Sequence, residues 1–248
     1  MADHVAIITG AGSGIGRASA LNLLADGWSV ALVGRRQDAL AETASMAKGG
    51  KTLVVPTDVT DPAQVDALFA KVKSTYGHLD TLFNNAGGNV PTTNFGDFTF
   101  EMWRTVCAIN LDAMFLCANA AFRAMRDQEH QGGRIINNGS ISAHNPRPGS
   151  VAYTATKHAI TGLTKSIALD GRQYNICCSQ VDIGNAATPM TARSTNGQMQ
   201  PNGQMAVEAR MDADHVGKQV AFMASLPLES NVQFVTIMAT KMPWIGRG

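Results

Sequence analysis

The chain is expected to fold as an α/β protein: a doubly wound, parallel seven-stranded sheet with helices on both faces. Three observations predict this. Seven short apolar runs alternate with longer helical runs along the chain. Such interleaving implies strands buried on both sides and helices that cross over to cover them. The first apolar run leads straight into a glycine-rich turn and then a helix, which is a ready-made anion site. The 248 residues also show no linker-like shift in composition, no internal repeat and no long charge run. One domain spanning 1–248 is therefore expected.

The elements follow in order. Residues 5–9 (VAIIT) form the first strand. Gly10, Gly12, Gly14 and Gly16 come next, where close backbone approach would leave no room for a Cβ. The helix near 15–25 points its unsatisfied N–H groups into that turn. The spacing is Gly10-x-x-x-Gly14-x-Gly16 rather than the strict G-x-G-x-x-G fingerprint. Taken alone, it fits a tight strand-to-helix connection as well as a pyrophosphate site. Further strands are expected at 29–33, 53–56, 81–84, 134–138, 175–181 and 232–239. Helices are expected near 37–47, 62–76, 100–125, 153–169 and 213–224. The start at Pro62 has a clear cause: Asp61 supplies a capping carboxylate and proline takes the first helical position.

Composition narrows the function classes. Lysine and arginine total 20 against 19 acidic residues, a formal net charge of +1. Nothing there points to nucleic acid or an anionic membrane. No N-terminal targeting segment is read, and no apolar run is expected to approach the ~20 residues of a membrane span. Cys107, Cys117, Cys177 and Cys178 form no C-x-x-C, and the adjacent pair is unsuited to a disulfide. Reduced core thiols in a cytoplasmic protein are the expectation. His144, His158 and His215 share no ligand spacing with cysteines or carboxylates, so no metal is expected. His144, four residues past Ser140, is either an ordinary loop residue or a wall of a substrate pocket.

The run SVAYTATKHAITGL places Tyr153 and Lys157 four residues apart, with Ser140 upstream in NNGSIS. On a helix, positions i and i+4 share a face. A tyrosine of pKa about 10 is a poor acid or base at neutral pH. A neighbouring cation favours the phenolate and brings it toward the useful range. A serine hydroxyl can hydrogen-bond the substrate oxygen and hold it against the phenol. Tyr-x-x-x-Lys alone is a weak signal, since solvated helix faces carry the same spacing.

Taken in order, TGAGSGIG at 9–16, NNAG at 84–87, Asn110, Ser140 and Tyr153-x-x-x-Lys157 closely resemble the single-domain short-chain dehydrogenases/reductases. The likeness runs from Val5 to about Met242, and the Ser-to-Tyr separation of thirteen also matches. It implies a Rossmann-like sheet of order 3-2-1-4-5-6-7, which sets the first turn beside Asn84–Gly87 in one crevice. It implies a catalytic set of Asn110, Ser140, Tyr153 and Lys157. It further implies cofactor contacts from Gly10, Ser13, Gly14, Ile15 and Gly16, from Asp58 and Val59, from Asn85, Ala86 and Gly87, and from Tyr153 and Lys157. Ile183 and Thr188 complete that set near the nicotinamide. Each has a plainer alternative: Asp58 as a turn residue, Asn84 and Asn85 as a strand-ending turn, Asn110 as a polar residue bending its helix.

The chain departs from the family pattern after the sixth strand. ValAspIleGly (181–184) puts Ile183 where the pattern has proline, and the last strand lacks Asp-Gly-Gly. SLPLESNVQFVTIMATKMP instead resembles endings of the hydroxy-acid and serine dehydrogenase branch. At the end of the second strand, Gly34 stands where an acidic residue would select NAD, and Arg35 and Arg36 follow. Guanidinium groups suit a 2′-phosphate. NADP(H) is therefore the expected cofactor, with NAD(H) as the alternative. Arg36 also fits a surface residue preceding a helix, and Ser13 is not basic.

The expected activity is hydride transfer between NADP(H) and a small-molecule alcohol or carbonyl substrate. A 3-oxoacyl thioester reductase and a hydroxy-acid dehydrogenase are the enzymatic alternatives. A nucleotide-binding sensor or scaffold without turnover is the alternative of another class. Residues 185–211, rich in Gln, Asn, Gly and Met, are expected to form a substrate lid. The helices 111–125 and 153–169 carry apolar or small residues on more than one face, and family members usually pair through them. A homotetramer is expected.

Overall fold

The computed structural model describes residues 4–192 and 197–245. In chain order its elements are β1 (Val5–Thr9), α1 (Gly14–Ala25), β2 (Ser29–Gly34), α2 (Gln37–Ser45), β3 (Lys51–Pro56), α3 (Pro62–Tyr76) and β4 (Thr81–Asn84). There follow α4 (Phe100–Cys107), α5 (Ala113–Asp127), β5 (Gly133–Asn138), α6 (Val151–Gly171) and β6 (Ile176–Ile183). Four two-residue strands come next: β7 (Ala186–Ala187), β8 (Gln198–Met199), β9 (Met205–Ala206) and β10 (Met211–Asp212). The chain closes with α7 (Ala213–Ser225) and β11 (Phe234–Ile237).

Seven strands form one sheet in the order β3-β2-β1-β4-β5-β6-β11, and every pairing is parallel. With β11 as the seventh strand, this is the expected order. Strand order reverses between β1 and β4, so the crevice opens beyond Thr9 and Asn84.

Alternation along each strand feeds two cores. Ala6 and Ile8 of β1 pack in the layer with Leu23 and Leu24 of α1 and Val216 and Val220 of α7. Val5 and Ile7 pack in the other layer, with Leu68 and Val72 of α3 and Cys117 and Ala121 of α5. Each buried Leu or Val contributes about 1.5–3 kcal/mol relative to exposure. Helices α1 and α7 approach closely at Gly217, where a Cβ would lie 2.7 Å from the Ala18 carbonyl.

Helix α3 starts and stops as its ends dictate. Asp61 Oδ1 accepts from the Ala63 and Gln64 N–H groups (2.9 and 3.4 Å), and Gly77 ends the helix at φ 85°.

The run expected as one helix over 100–125 is interrupted. A π turn over Ala108–Asp112 separates α4 from α5. The wider turn carries Asn110 inward, where it is fully buried. Its side chain accepts from Gly88 N (2.9 Å) and donates to Gly88 O (2.8 Å). Such bulges recur at functional sites. The helical run Phe100–Asp127, 28 residues, is also long and apolar enough to cross a membrane by length and composition, contrary to the expectation from sequence. Half of that apolar window is buried within the fold. The four thiols are unpaired with one another, and burial pushes the Cys117 thiol up to about 12.

Candidate active site

The carboxyl ends of β1, β4 and β5 are tied together by side chains. Thr9 Oγ1 accepts from the N–H groups of Asn85 and Ala86 (2.8 and 2.9 Å). Asn85 Nδ2 donates to Thr9 O (2.8 Å), and Asn138 Nδ2 donates to Asn85 Oδ1 (2.7 Å). Asn84 is buried and donates to Met114 O (2.7 Å), holding α5 to the sheet. This loop is thus a scaffold as well as a wall.

The glycine turn passes directly over that scaffold. Gly10 has φ +71°, and a Cβ there would meet Asn85 Nδ2 at 2.8 Å. At Gly16 a Cβ would lie 2.2 Å from Gly10 O. Ser13 precedes α1 without capping it through its side chain, so the first-turn N–H groups stay available to an anion. Arg17 pins the turn from behind, donating to Gly12 O (2.7 Å) and Glu42 Oε2 (2.6 Å).

A cleft of about 230 Å³ lies between this turn and α6. Gly10, Ser13, Gly14, Ile15 and Gly16 line one side, and Asn85, Ala86, Gly87 and Asn110 its floor. Tyr153, Lys157, Ile183 and Thr188 also line it, with Asn138 and Gly139, whereas Ser140 lies just outside the lining. These residues fit a dinucleotide: a Cβ-free cradle and a free helix N-terminus face the same space as the Tyr–Lys pair.

Ser140 is 5% exposed and caps a short turn, accepting from Ser142 N at 3.1 Å. Lys157, 4% exposed, donates to Asn138 O at 2.7 Å. Its ammonium lies 5.6 Å from the centre of the Tyr153 ring. The balance of protons differs from the sequence expectation. Burial raises the Tyr153 phenol pKa above its ordinary value; hydrogen bonding to Ser140 and the charge of Arg147 oppose the rise, and Asp182 adds to it. The charge of Arg147 thus adds a second cation to the Lys157 ammonium beside the ring. Lys157 has its own pKa lowered to about 8 by burial, against the pull of Asp182. A buried ammonium bonded to a backbone carbonyl is itself expensive to charge.

Four residues expected at the cofactor lie outside this cleft. Arg35 and Arg36 are exposed beyond β2, Asp58 is half-buried and Val59 is buried beyond β3. All four follow the carboxyl ends of neighbouring strands, on the same edge of the sheet as the glycine turn. Asp58 Oδ1 accepts from Thr60 N and Thr60 Oγ1 (3.0 and 2.7 Å). Those bonds hold its carboxyl below the usual range, with a smaller contribution from Arg35.

The segment expected as a lid over 185–211 carries short ladders; its residues 193–196 lie outside the described ones. β7 pairs with β10 and β8 with β9. Arg147 pairs with Glu208 and donates to Gln198 Oε1 (2.8 Å) and Asn185 Oδ1 (3.0 Å). Asn185 Nδ2 donates to Glu208 Oε2 (2.7 Å). Three residues that sequence reasoning passed over therefore organise the site: Thr9, Asn138 and Asp182. The first two sit at strand ends facing the crevice, which was a usable signal.

The model of the short chain dehydrogenases matches residues 4–199. The chain belongs to the short-chain dehydrogenase/reductase family. A 3beta-hydroxysteroid dehydrogenase of Mediterraneibacter gnavus is 35% identical over 195 residues, covering 78% of this chain and 70% of its own. Levodione reductase superposes with TM-score 0.85 at 28% identity, covering 96% of this chain and 97% of that one. A 3-ketoacyl-(acyl-carrier-protein) reductase from Brucella melitensis, complexed with NADH, gives TM-score 0.85 at 25% identity, over 96% and 98%. This short-chain dehydrogenase/reductase is accordingly an oxidoreductase of alcohol and carbonyl groups, in a family that binds NAD(P)(H).

Proposed function

We propose that this enzyme is an NADP(H)-preferring alcohol/carbonyl oxidoreductase in which Tyr153 moves the proton. The observation that carries the reading is the convergence of Tyr153 and Lys157 on one cleft with the glycine turn, with Ser140 beside the phenol. The nicotinamide cofactor, when bound, supplies or accepts the hydride. Gly10, Ser13, Gly14, Ile15 and Gly16 would hold its phosphates and Arg35 a 2′-phosphate. Asp58, Val59, Asn85, Ala86, Gly87, Ile183 and Thr188 would line the remainder.

The protein's own part is orientation and proton transfer. In reduction, Ser140 holds the carbonyl oxygen by hydrogen bonding. Tyr153 gives its phenolic proton to that oxygen as the carbon becomes an alcohol carbon. In oxidation the same oxygen returns its proton to the phenolate. A phenol kept protonated by burial suits the reducing direction. Asn110 acts by clamping the Gly88 peptide, which fixes the cleft floor. Hydroxysteroids, 3-oxoacyl thioesters and hydroxy acids are the substrates to screen first. Assembly as a homotetramer is part of the proposal, supported by exposed Phe115 on α5 and Leu169 on α6; a monomer mass in solution scattering would refute it.

The test is Tyr153→Phe, which keeps the ring and removes the proton. Turnover is expected to fall by about two orders of magnitude or more, the scale of losing a general acid. Cofactor binding should be retained. Near-normal turnover would remove Tyr153 from its role.

A further inference from the structure

The sequence departs from the family pattern at ValAspIleGly, and the structure places a buried carboxylate there. Asp182, at the end of β6, is 2% exposed. Its Oδ1 accepts from Ser140 N (3.0 Å) and Gln180 Nε2 (2.7 Å). Its Oδ2 faces His144 Nε2 at 2.9 Å. The chain makes room for it: a Cβ at Gly139 would lie 2.1 Å from Asp182 Oδ1. His144 is fixed in turn by Trp244, whose ring meets it edge-on at 6.0 Å. With its side-chain amide turned to match its neighbours, Asn145 links the two, donating to His144 O (3.3 Å) and accepting from Trp244 Nε1 (2.9 Å).

One carboxylate thus joins the backbone of Ser140, a histidine four residues on and the final strand's flank. A buried charge needs this many partners. A purely structural cap would not require a full charge here, because neutral acceptors satisfy N–H donors too.

We propose that Asp182 is a positioning residue of the catalytic centre, fixing Ser140 and His144 against the Tyr153–Lys157 pair and supplying the buried charge that governs their protons. The inference rests on the proposed role of Tyr153. Asp182 acts on Tyr153 and Lys157 from α6 and faces His144 from the loop before it, while Arg147 on that loop acts on Tyr153. β11 sets Thr236 beside it and β5 is followed by Gly139, neither of which titrates. A negative charge at this place favours the neutral phenol and the charged ammonium. Its removal must therefore move both titrations toward lower pH.

The test is Asp182→Asn, which keeps shape and a hydrogen-bond acceptor for Ser140 N but removes the charge. The chain has 3 tyrosines, so phenolate absorbance can be followed in the whole protein. The difference between wild type and Tyr153→Phe isolates the Tyr153 step. The same difference is then taken in the Asp182→Asn background. The step is expected to move down by about one pH unit, the scale of a nearby charge in a partly buried site. An unmoved step overturns the proposal. If the Asn variant does not fold, Asp182→Ser, smaller and still able to accept from Ser140 N, gives the same comparison. The screened substrate separates the two claims. Loss of turnover in Tyr153→Phe with normal rate and pH profile in Asp182→Asn would end the role of Asp182 and leave that of Tyr153 intact. Full turnover in Tyr153→Phe would end the reading on which both rest.

Discussion

Lys157 should destabilise the fold that needs it. It is 4% exposed, and burial lowers its ammonium pKa from 10.5 to about 8. At about 1.4 kcal/mol per pH unit, keeping that charge inside costs about 3 kcal/mol at neutral pH. The sign follows from proton counts. Between about 8 and 10.5 the unfolded chain holds the lysine proton and the folded chain has released it. Stability therefore rises with pH across that window, and the full penalty applies below it. Lys157→Met keeps an apolar stem and removes the charge. It also leaves Asn138 O without its donor. That loss offsets about 1–2 kcal/mol. The variant is expected to be more stable than wild type by about 1–2 kcal/mol at neutral pH, while losing activity. That advantage should vanish or reverse by pH 10.5. Urea unfolding of both proteins, at one protein concentration and across this pH range, measures the difference directly. A difference that does not change with pH would refute the reasoning, as would a less stable variant at neutral pH.

Two further outcomes concern the cofactor and the covering segment. NADP(H) should bind at least about tenfold more tightly than NAD(H), roughly 1.4 kcal/mol, and Arg35→Ala should erase most of that gap with NAD(H) affinity nearly unchanged. Titration of both cofactors decides it: equal affinities in wild type, or a variant that loses both alike, ends the assignment. Limited proteolysis should cut within 185–211 in the free protein, and cofactor with a substrate analogue should protect it. Equal cleavage with and without ligand would argue against a lid.

What the sequence displays of this fold is what short-range physics controls. α3 begins and ends where Asp61, Pro62 and Gly77 require, and β1 is a run too apolar to lie anywhere but in the sheet. The π turn at Asn110 is hidden, because the apolar pattern of 100–125 continues through it. What forces it is a pair of bonds to Gly88, 22 residues away. The ladders within 185–211 are hidden for a similar reason. Pairs of two residues leave no period to detect, and their anchor, Arg147, reaches Glu208 across 61 positions.

The same distinction runs through the site. Tyr153 and Lys157 are legible because a helix brings positions i and i+4 together whatever surrounds them. Their proton balance is not legible, because burial and Asp182, which lies 29 residues beyond Tyr153 in the chain, help to set it together with Arg147. A motif therefore identifies which groups meet, while the fold determines which of them holds the proton. Asp182 joins the two levels: a residue with no role legible in the sequence, one position before the departure at Ile183, becomes, once β6 lies beside β5, the acceptor for the backbone of Ser140. The substitution at the neighbouring position follows the same logic. Ile183 is 6% exposed and belongs to the core beneath the cleft. It keeps an N–H that proline lacks, and β6 continues through it to pair with Ile237 of β11. The departure thus extends the strand that presents the carboxylate.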